Sequence, residues 1–209
     1  MRYPAARSLS LFLMLGALAC AASAQNDPAE ALTVVPGIDL PRYMGTWYEV
    51  ARLPNPFQKQ CAGEVTATYT LRDDGEIDVV NRCRSATGEV SEAKGRARRA
   101  DDEEPNSKLK VRFAPAFLSF LPFVWGDYWI LELSPGYTYA VIGEPERRYL
   151  WILSRTPSMA ESALEPILAR ITRQGYDCSG LIRTGIIAGA DSNRVSLAPL
   201  RRSPIGFRD

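Results

Sequence analysis

The sequence predicts an all-β fold, a barrel or a sandwich of eight antiparallel strands, with one α-helix after the last of them. Three observations predict it. Eight β-rich runs follow one another with turn signals between them. One of them, 108–113, alternates cleanly, with Leu109, Val111 and Phe113 on one face and Lys108, Lys110 and Arg112 on the other. A single helical stripe then comes near 159–171.

The runs are 46–53, 64–71, 76–83, 90–99, 108–113, 127–133, 137–143 and 148–154. Asp73-Asp74-Gly75, Thr87-Gly88, Pro105-Asn106, Pro135-Gly136 and Pro145 separate them, and most links are of hairpin length. The helical stripe is Met159, Ala163, Leu164, Ile167, Leu168 and Ile171, with Ser158 and Glu161 spaced as a capping box and Gly175 as the stop. Pro166 interrupts it. Either the helix kinks there, or its regular part begins near Ser162 and leaves the proline in the tolerant first turn. Residues 181–187 offer a ninth strand.

With 209 residues, 46% of them hydrophobic, the chain can bury one core of good size but is short for two domains. Residues 1–24 read as an export signal, because Arg2 and Arg7 precede an apolar run too short to span a membrane. Two processing sites compete. Ala22-Ser23-Ala24 before Gln25 has the small-x-small form, and Ala17-Leu18-Ala19-Cys20 is like a lipoprotein box with Cys20 as lipid acceptor. Both place the protein in the cell envelope, in the periplasm or on the periplasmic face of the outer membrane. Residues 25–37 read as a linker, 38–187 as the folded domain and 188–209 as a disordered tail.

Twenty-five basic side chains stand against 24 acidic ones, mixed in sign along almost every segment, so no nucleic-acid partner is implied. Arg96, Arg98 and Arg99, for example, are answered at once by Asp101, Asp102, Glu103 and Glu104. The chain contains no histidine, which removes Ser-His-Asp and Cys-His arrangements, the usual zinc sets and a proximal haem ligand. No cofactor and no metal are expected. Glu49, which shares the parity of Trp47, is the one carboxylate placed to point inward, although a wet or paired role suits it as well.

Three short motifs fall at ordered stations. Gly45-Thr46-Trp47-Tyr48-Glu49 opens the first run, Gly126-Asp127-Tyr128 precedes the sixth, and Ser154-Arg155-Thr156 follows the eighth. Together they resemble the three lipocalin motifs, with Gly45, Trp47, Asp127, Tyr128 and Arg155 as the matching residues. The stretches 66–75 (TATYTLRDDG) and 149–157 (YLWILSRTP) are similar to the branch of bacterial lipocalins and apolipoprotein D. The resemblance covers about 38–185 and implies an eight-stranded up-and-down antiparallel lipocalin barrel with one C-terminal α-helix packed outside. In such a barrel the first strand starts and the eighth ends at the same end, so Trp47 and Arg155 should meet, with the arginine over the indole face and its remaining N–H groups on chain carbonyls. Gly45, Trp47 and Arg155 would then close the base, and any ligand would enter at the other end.

At that open end lies 114–126, which carries Phe117, Phe120, Phe123 and Trp125 without one charge. Either it folds over the mouth to line an apolar site, or it packs on the barrel wall. If it borders the mouth, contact with a membrane surface follows, with Pro54-Asn55-Pro56-Phe57 beside it. Parity turns Leu109, Val111 and Phe113 inward, with Val79, Tyr128 and Trp151 as neighbours; each can line a cavity or simply fill the core.

Cys61 begins the second run and Cys83 ends the third, which makes them the preferred disulfide of an exported chain and leaves Cys178 over. A plain hairpin about Asp74 sets Cys61 opposite Thr87, so the pair requires a bulge or bend. The resemblance implies a small lipid ligand, a fatty acid or lysophospholipid, handled for storage or transport in membrane maintenance, sometimes by a homodimer. A lipid-modifying enzyme on the same barrel and a structural envelope protein with a filled barrel remain the alternatives.

Overall fold

A computed structural model describes residues 31–184 and 186–188; the leader, Cys20 and the tail from 189 onward lie outside the described residues. A short helix α1 (Leu40–Tyr43) precedes strand β1 (Gly45–Arg52). Then come β2 (Gly63–Leu71), β3 (Ile77–Arg84), β4 (Val90–Arg99), β5 (Lys108–Arg112), β6 (Gly126–Leu133), β7 (Tyr139–Gly143) and β8 (Leu150–Ser154). Each pairs antiparallel with the next, and β1 pairs with β8, so the sheet closes into an up-and-down barrel. All eight strands start and stop within two residues of the sequence expectation.

Two further pieces complete the chain. β9 (Ser158–Ala160) leads into α2 (Glu161–Arg173), and β10 (Ile182–Arg183) and β11 (Ile186–Ala188) follow. The extra strand expected over 181–187 is thus two short strands: β10 joins β1 at Ala51 and Arg52, and β11 runs parallel to β9. The capping box does not form, because Ser158 is paired in β9 and Ala160 is the N-cap with no side-chain bond. The helix begins at Glu161, and Pro166 sits inside it, past the first turn. There it deletes one backbone bond whose loss the packed face offsets. That face is Leu164, Ile167 and Ile171, buried against Val50, Ala51, Leu131, Val141, Leu150 and Ile152 on the outer side of the barrel. Arg170 grips Glu132 with three N–H contacts of 2.9–3.1 Å, and Tyr176 exchanges hydrogen bonds with the backbone of Glu144. Gly143 is required here, since a Cβ at that position would come within 2.0 Å of the Tyr176 hydroxyl.

The inner core is a separate cluster that includes Trp47, Tyr69, Ile77, Val79, Ala97, Leu109, Ile130, Ile142 and Leu153. Its lower end is plugged by the incoming chain. Ile38 donates to and accepts from the Asn106 side chain, both at 2.8 Å, and α1 follows directly, with the Tyr43 ring buried. The Trp47 indole donates to the Tyr43 carbonyl at 2.8 Å. Arg155 lies 3.8 Å from the Trp47 ring centroid and donates to the carbonyls of Thr46, Arg42 and Tyr43 at 2.8–3.1 Å. Gly45 turns the chain from α1 into β1 at φ +90°, a conformation costly for any residue with a Cβ.

The disulfide joins Cys61 to Cys83, with Cα atoms 5.5 Å apart. The bulge it requires is present: the β2–β3 register shifts between Gly63 and Thr66, and Glu64 takes φ +52° to make the shift.

Arg155→Lys keeps the charge but loses the planar stack and the fork that spans three carbonyls. Urea denaturation should show a loss of about 2 kcal/mol. Trp47→Ala should cost more, about 3–5 kcal/mol, by emptying the barrel floor.

Candidate functional site

Alternation along the strands builds the interior in two levels. At the lower level, cross-strand register sets Ile77 beside Ala97, Ala97 beside Val111 and Leu109 beside Tyr128. With Tyr43, Tyr69 and Val79 these side chains line one small cavity of about 10 Å³. The space is narrow, with room for about one water-sized group. At about 10 Å³ it is far smaller than the roughly 300–1,000 Å³ of ordinary ligand pockets, so this level takes only one small group at the end of a ligand.

Three phenols meet on this floor. The Tyr128 hydroxyl lies 2.8 Å from that of Tyr43 and 2.9 Å from that of Tyr69, and the Tyr69 ring packs 5.7 Å from that of Tyr43 and 6.1 Å from that of Tyr128, centroid to centroid. Burial withdraws water from the phenolate form, so all three acidities weaken. Tyr69 is pushed up to about 12, and Tyr43 and Tyr128 are raised well above the ordinary phenol value. Arg155 below them opposes the shift in Tyr43 and Tyr69 without overcoming it.

The upper level is lined by small residues. Ala67 pairs across to Asn81, Asn81 to Ala93, and Val79 to Gly95, so small side chains hold the inward positions above the tyrosines, with the Phe113 ring over Gly95. The Asn81 Oδ1 is buried without a hydrogen-bond partner among the described residues. At the mouth, Glu49 and Arg52 are 4% and 5% exposed and form an ion pair at 2.9 Å. Gln58 donates to Glu49 at 2.6 Å and accepts from the Trp151 indole at 2.8 Å, and Thr184 donates to Glu49 at 2.9 Å. One polar network thus ties the first loop, β8 and the C-terminal segment to β1.

Of the expected lining residues, Val79, Leu109, Val111 and Tyr128 come together around the lower cavity. Trp151 packs against the inner core higher up, under Gln58. Phe113 does not reach the cavity: it follows the end of β5, is 44% exposed, and its ring lies over Gly95, where a Cβ would meet it at 2.7 Å. Phe117 is 74% exposed and lines nothing. Trp125 is buried, but on the outer wall, with Arg98 4.3 Å and Arg112 5.1 Å from its ring. Its parity is opposite to Tyr128, which turns it out of the barrel. The loop 114–126 therefore neither folds over the mouth nor packs wholly on the wall. It makes two 3-10 turns, Ala116–Leu118 and Pro122–Val124, anchored by Trp125 donating to the Ser119 carbonyl at 2.8 Å, and its three phenylalanines face outward. Asp127 pairs with Lys110 at 2.7 Å on the outer face.

Tyr43, Tyr69, Ile77 and Ala97 were not anticipated as lining residues. The parity of Val79 points to Ile77, and the register points to Tyr69 and Ala97, but Tyr43 lies on a helical turn that alternation does not address. Among the described residues no group of three or more potential metal ligands occurs, and no helix is long and apolar enough to cross a membrane.

Comparison with known proteins gives one consistent answer. The model of the lipocalin-like domain matches residues 38–185. Temperature-induced lipocalin-1 of Arabidopsis thaliana is 44% identical over 154 residues, covering 73% of this chain and 82% of the relative. Outer membrane lipoprotein Blc of Escherichia coli K12 is 38% identical over 162 residues, covering 77% and 86%. Apolipoprotein D of Mus musculus is 29% identical, covering 70% and 76%. Among solved structures, insecticyanin from the tobacco hornworm Manduca sexta superposes with a TM-score of 0.57 at 21% identity, over 74% of this chain and 84% of that one. Lobster apocrustacyanin A1 does so at 0.54 and 18%, over 73% and 91%. These two share the fold.

The buried phenols have a consequence for pH. Their acidity is weaker folded than unfolded, so the stabilisation they bring is fully present below about pH 10 and is lost as pH rises toward about 12, the value for Tyr69. Tyrosinate absorbance should show a group of tyrosines that titrates late in the native protein and rejoins the others in urea.

Proposed function

Because the chain belongs to the lipocalin family, we propose that it binds one small amphiphilic lipid, a fatty acid or lysophospholipid, with the hydrocarbon inside the barrel and the polar head at the mouth. The carrying observation is the two-level interior. A narrow apolar floor lies below a level whose inward positions include the small side chains of Ala67 and Ala93, and only the two together suit a chain of lipid length. Binding rather than catalysis suits the one inward carboxylate, because both oxygens of Glu49 are engaged by Arg52, Gln58 and Thr184. Storage or transport in the cell envelope is the role proposed. The name of the Blc relatives, outer membrane lipoprotein, supports it, as do the alternatives of acylation at Cys20 and cleavage after Ala24.

The same reading gives the outward loop a task. Phe117, Phe120 and Phe123 are 74–80% exposed. Arg98 and Arg112 behind them make no ion pair among the described residues and stack instead on Trp125. Apolar tips backed by cations suit contact with a bilayer surface, from which a lipid can pass to the mouth.

Native mass spectrometry of gently purified protein should show one retained lipid per chain. A protein that carries none and takes up no fatty acid would falsify the reading. Replacing Phe117, Phe120 and Phe123 with Ser should weaken cosedimentation with phosphatidylglycerol vesicles by at least about ten-fold while leaving lipid uptake from solution unchanged. Equal cosedimentation would remove the membrane contact alone.

A further inference from the structure

The tyrosine floor is unusual for a cavity that receives only hydrocarbon. A phenol carries one donor, so the three hydroxyls of Tyr43, Tyr69 and Tyr128 bring three protons to two oxygen–oxygen contacts. One O–H therefore has no acceptor within the cluster. All three residues line the lower cavity, whose remaining walls are Ile77, Val79, Ala97, Leu109 and Val111, so the spare donor has no side-chain acceptor to turn to among the described residues. A buried donor left unsatisfied carries its full desolvation cost.

We propose that the lipid held in this barrel carries a neutral oxygen, a hydroxyl or a carbonyl, at its deep end, and that the Tyr43–Tyr69–Tyr128 cluster donates to it. This rests on the lipid-binding reading and narrows it from any acyl chain to one oxygenated at its leading end. A charged group is the poorer fit. The nearest cation, Arg155, is engaged by three backbone carbonyls and the Trp47 ring, so a carboxylate on the floor would have no ion-pair partner. Size agrees, since the space beside the hydroxyls holds about one water-sized group, enough for a single oxygen and too small for a lipid head. The phenols stay protonated because burial weakens their acidity, which keeps them donors across the physiological range. Length agrees as well: from Phe113 at the mouth to Leu109 at the floor is four residues of extended chain, about 13 Å along the strand, comparable with a dodecyl chain.

The test compares dodecanoate with ω-hydroxydodecanoate by isothermal titration on the wild-type protein and on Tyr43→Phe/Tyr69→Phe/Tyr128→Phe. The triple variant keeps every ring and removes donors and acceptors together, a change that costs little stability. The affinity for the hydroxy acid relative to dodecanoate should fall at least about five-fold in the variant. In the wild-type protein, the hydroxy acid but not dodecanoate should produce a red-shifted tyrosine band in the near-ultraviolet difference spectrum. That spectrum decides the matter if circular dichroism shows the variant unfolded. An unchanged affinity ratio, or no tyrosine band, with dodecanoate still bound overturns the deep-oxygen proposal alone. If neither acid binds the wild-type protein, the lipid-binding reading falls with it.

Discussion

Closure of the sheet between β1 and β8 is the constraint on which the rest depends. Pairing of Tyr48 with Ser154 and Arg52 with Trp151 removes both free edges, and it brings the residue after β8, Arg155, to the start of β1. There the guanidinium bonds the Thr46 carbonyl, which lies below the last β1–β8 pair, and the Arg42 and Tyr43 carbonyls at the end of α1. The three motif residues are thus one device: Gly45 turns the chain, Trp47 provides the face, and Arg155 fixes both to the plug formed by α1. Because the plug includes Tyr43, the seal at the base also supplies one wall of the cavity. Among the other motif residues, Tyr128 lines the same cavity from β6.

Alternation made most of the interior legible. Period two in 108–113 placed Leu109 and Val111 correctly, and register carried the assignment to Val79 and Tyr128. It failed where chain leaves the sheet. Phe113 continues the parity of Leu109 but follows the last paired residue of β5, so it stays at the rim, half exposed, with its ring over Gly95. Trp125 precedes β6 by one residue and takes the opposite face from Tyr128. Phe117 lies in a 3-10 turn, where neither period two nor period 3.6 says which way a side chain points. Tyr43 was hidden for the converse reason, since its inward position comes from the tertiary course of a four-residue helix. The disulfide was legible in outline, and the bulge at Gly63 to Thr66 was implied by the same hairpin arithmetic that argued against the pair.

The helix shows tertiary packing overriding local signals. Ser158 and Glu161 have capping-box spacing, yet Ser158 is taken by pairing with β11, and the helix starts on Ala160 with no side-chain cap. Pro166 costs a backbone bond, and the segment remains helical because Leu164, Ile167 and Ile171 are each almost fully buried on the barrel. At roughly 1.5–3 kcal/mol each, three such side chains outweigh the roughly 4 kcal/mol that the proline and the missing cap withdraw.

Glu49 and Arg52 pose the opposite problem, a charged pair where apolar residues would pack. Taking both ions out of water costs several kcal/mol apiece, which their attraction at 2.9 Å recovers only in part, so the pair adds little net stability. What it does is positional. β2 pairs with β1 only from Gly45 to Tyr48, and beyond that point β10 takes the vacated edge of β1. Glu49 stands where the strands part. Its oxygens hold Gln58 from the first loop and Thr184 from the C-terminal segment, and Gln58 in turn holds Trp151. An apolar pair could fill the same volume, but it could not give the first loop and the C-terminal segment a common acceptor on β1. The mouth of the barrel keeps its shape through hydrogen bonds that the burial of Glu49 makes difficult for water to replace.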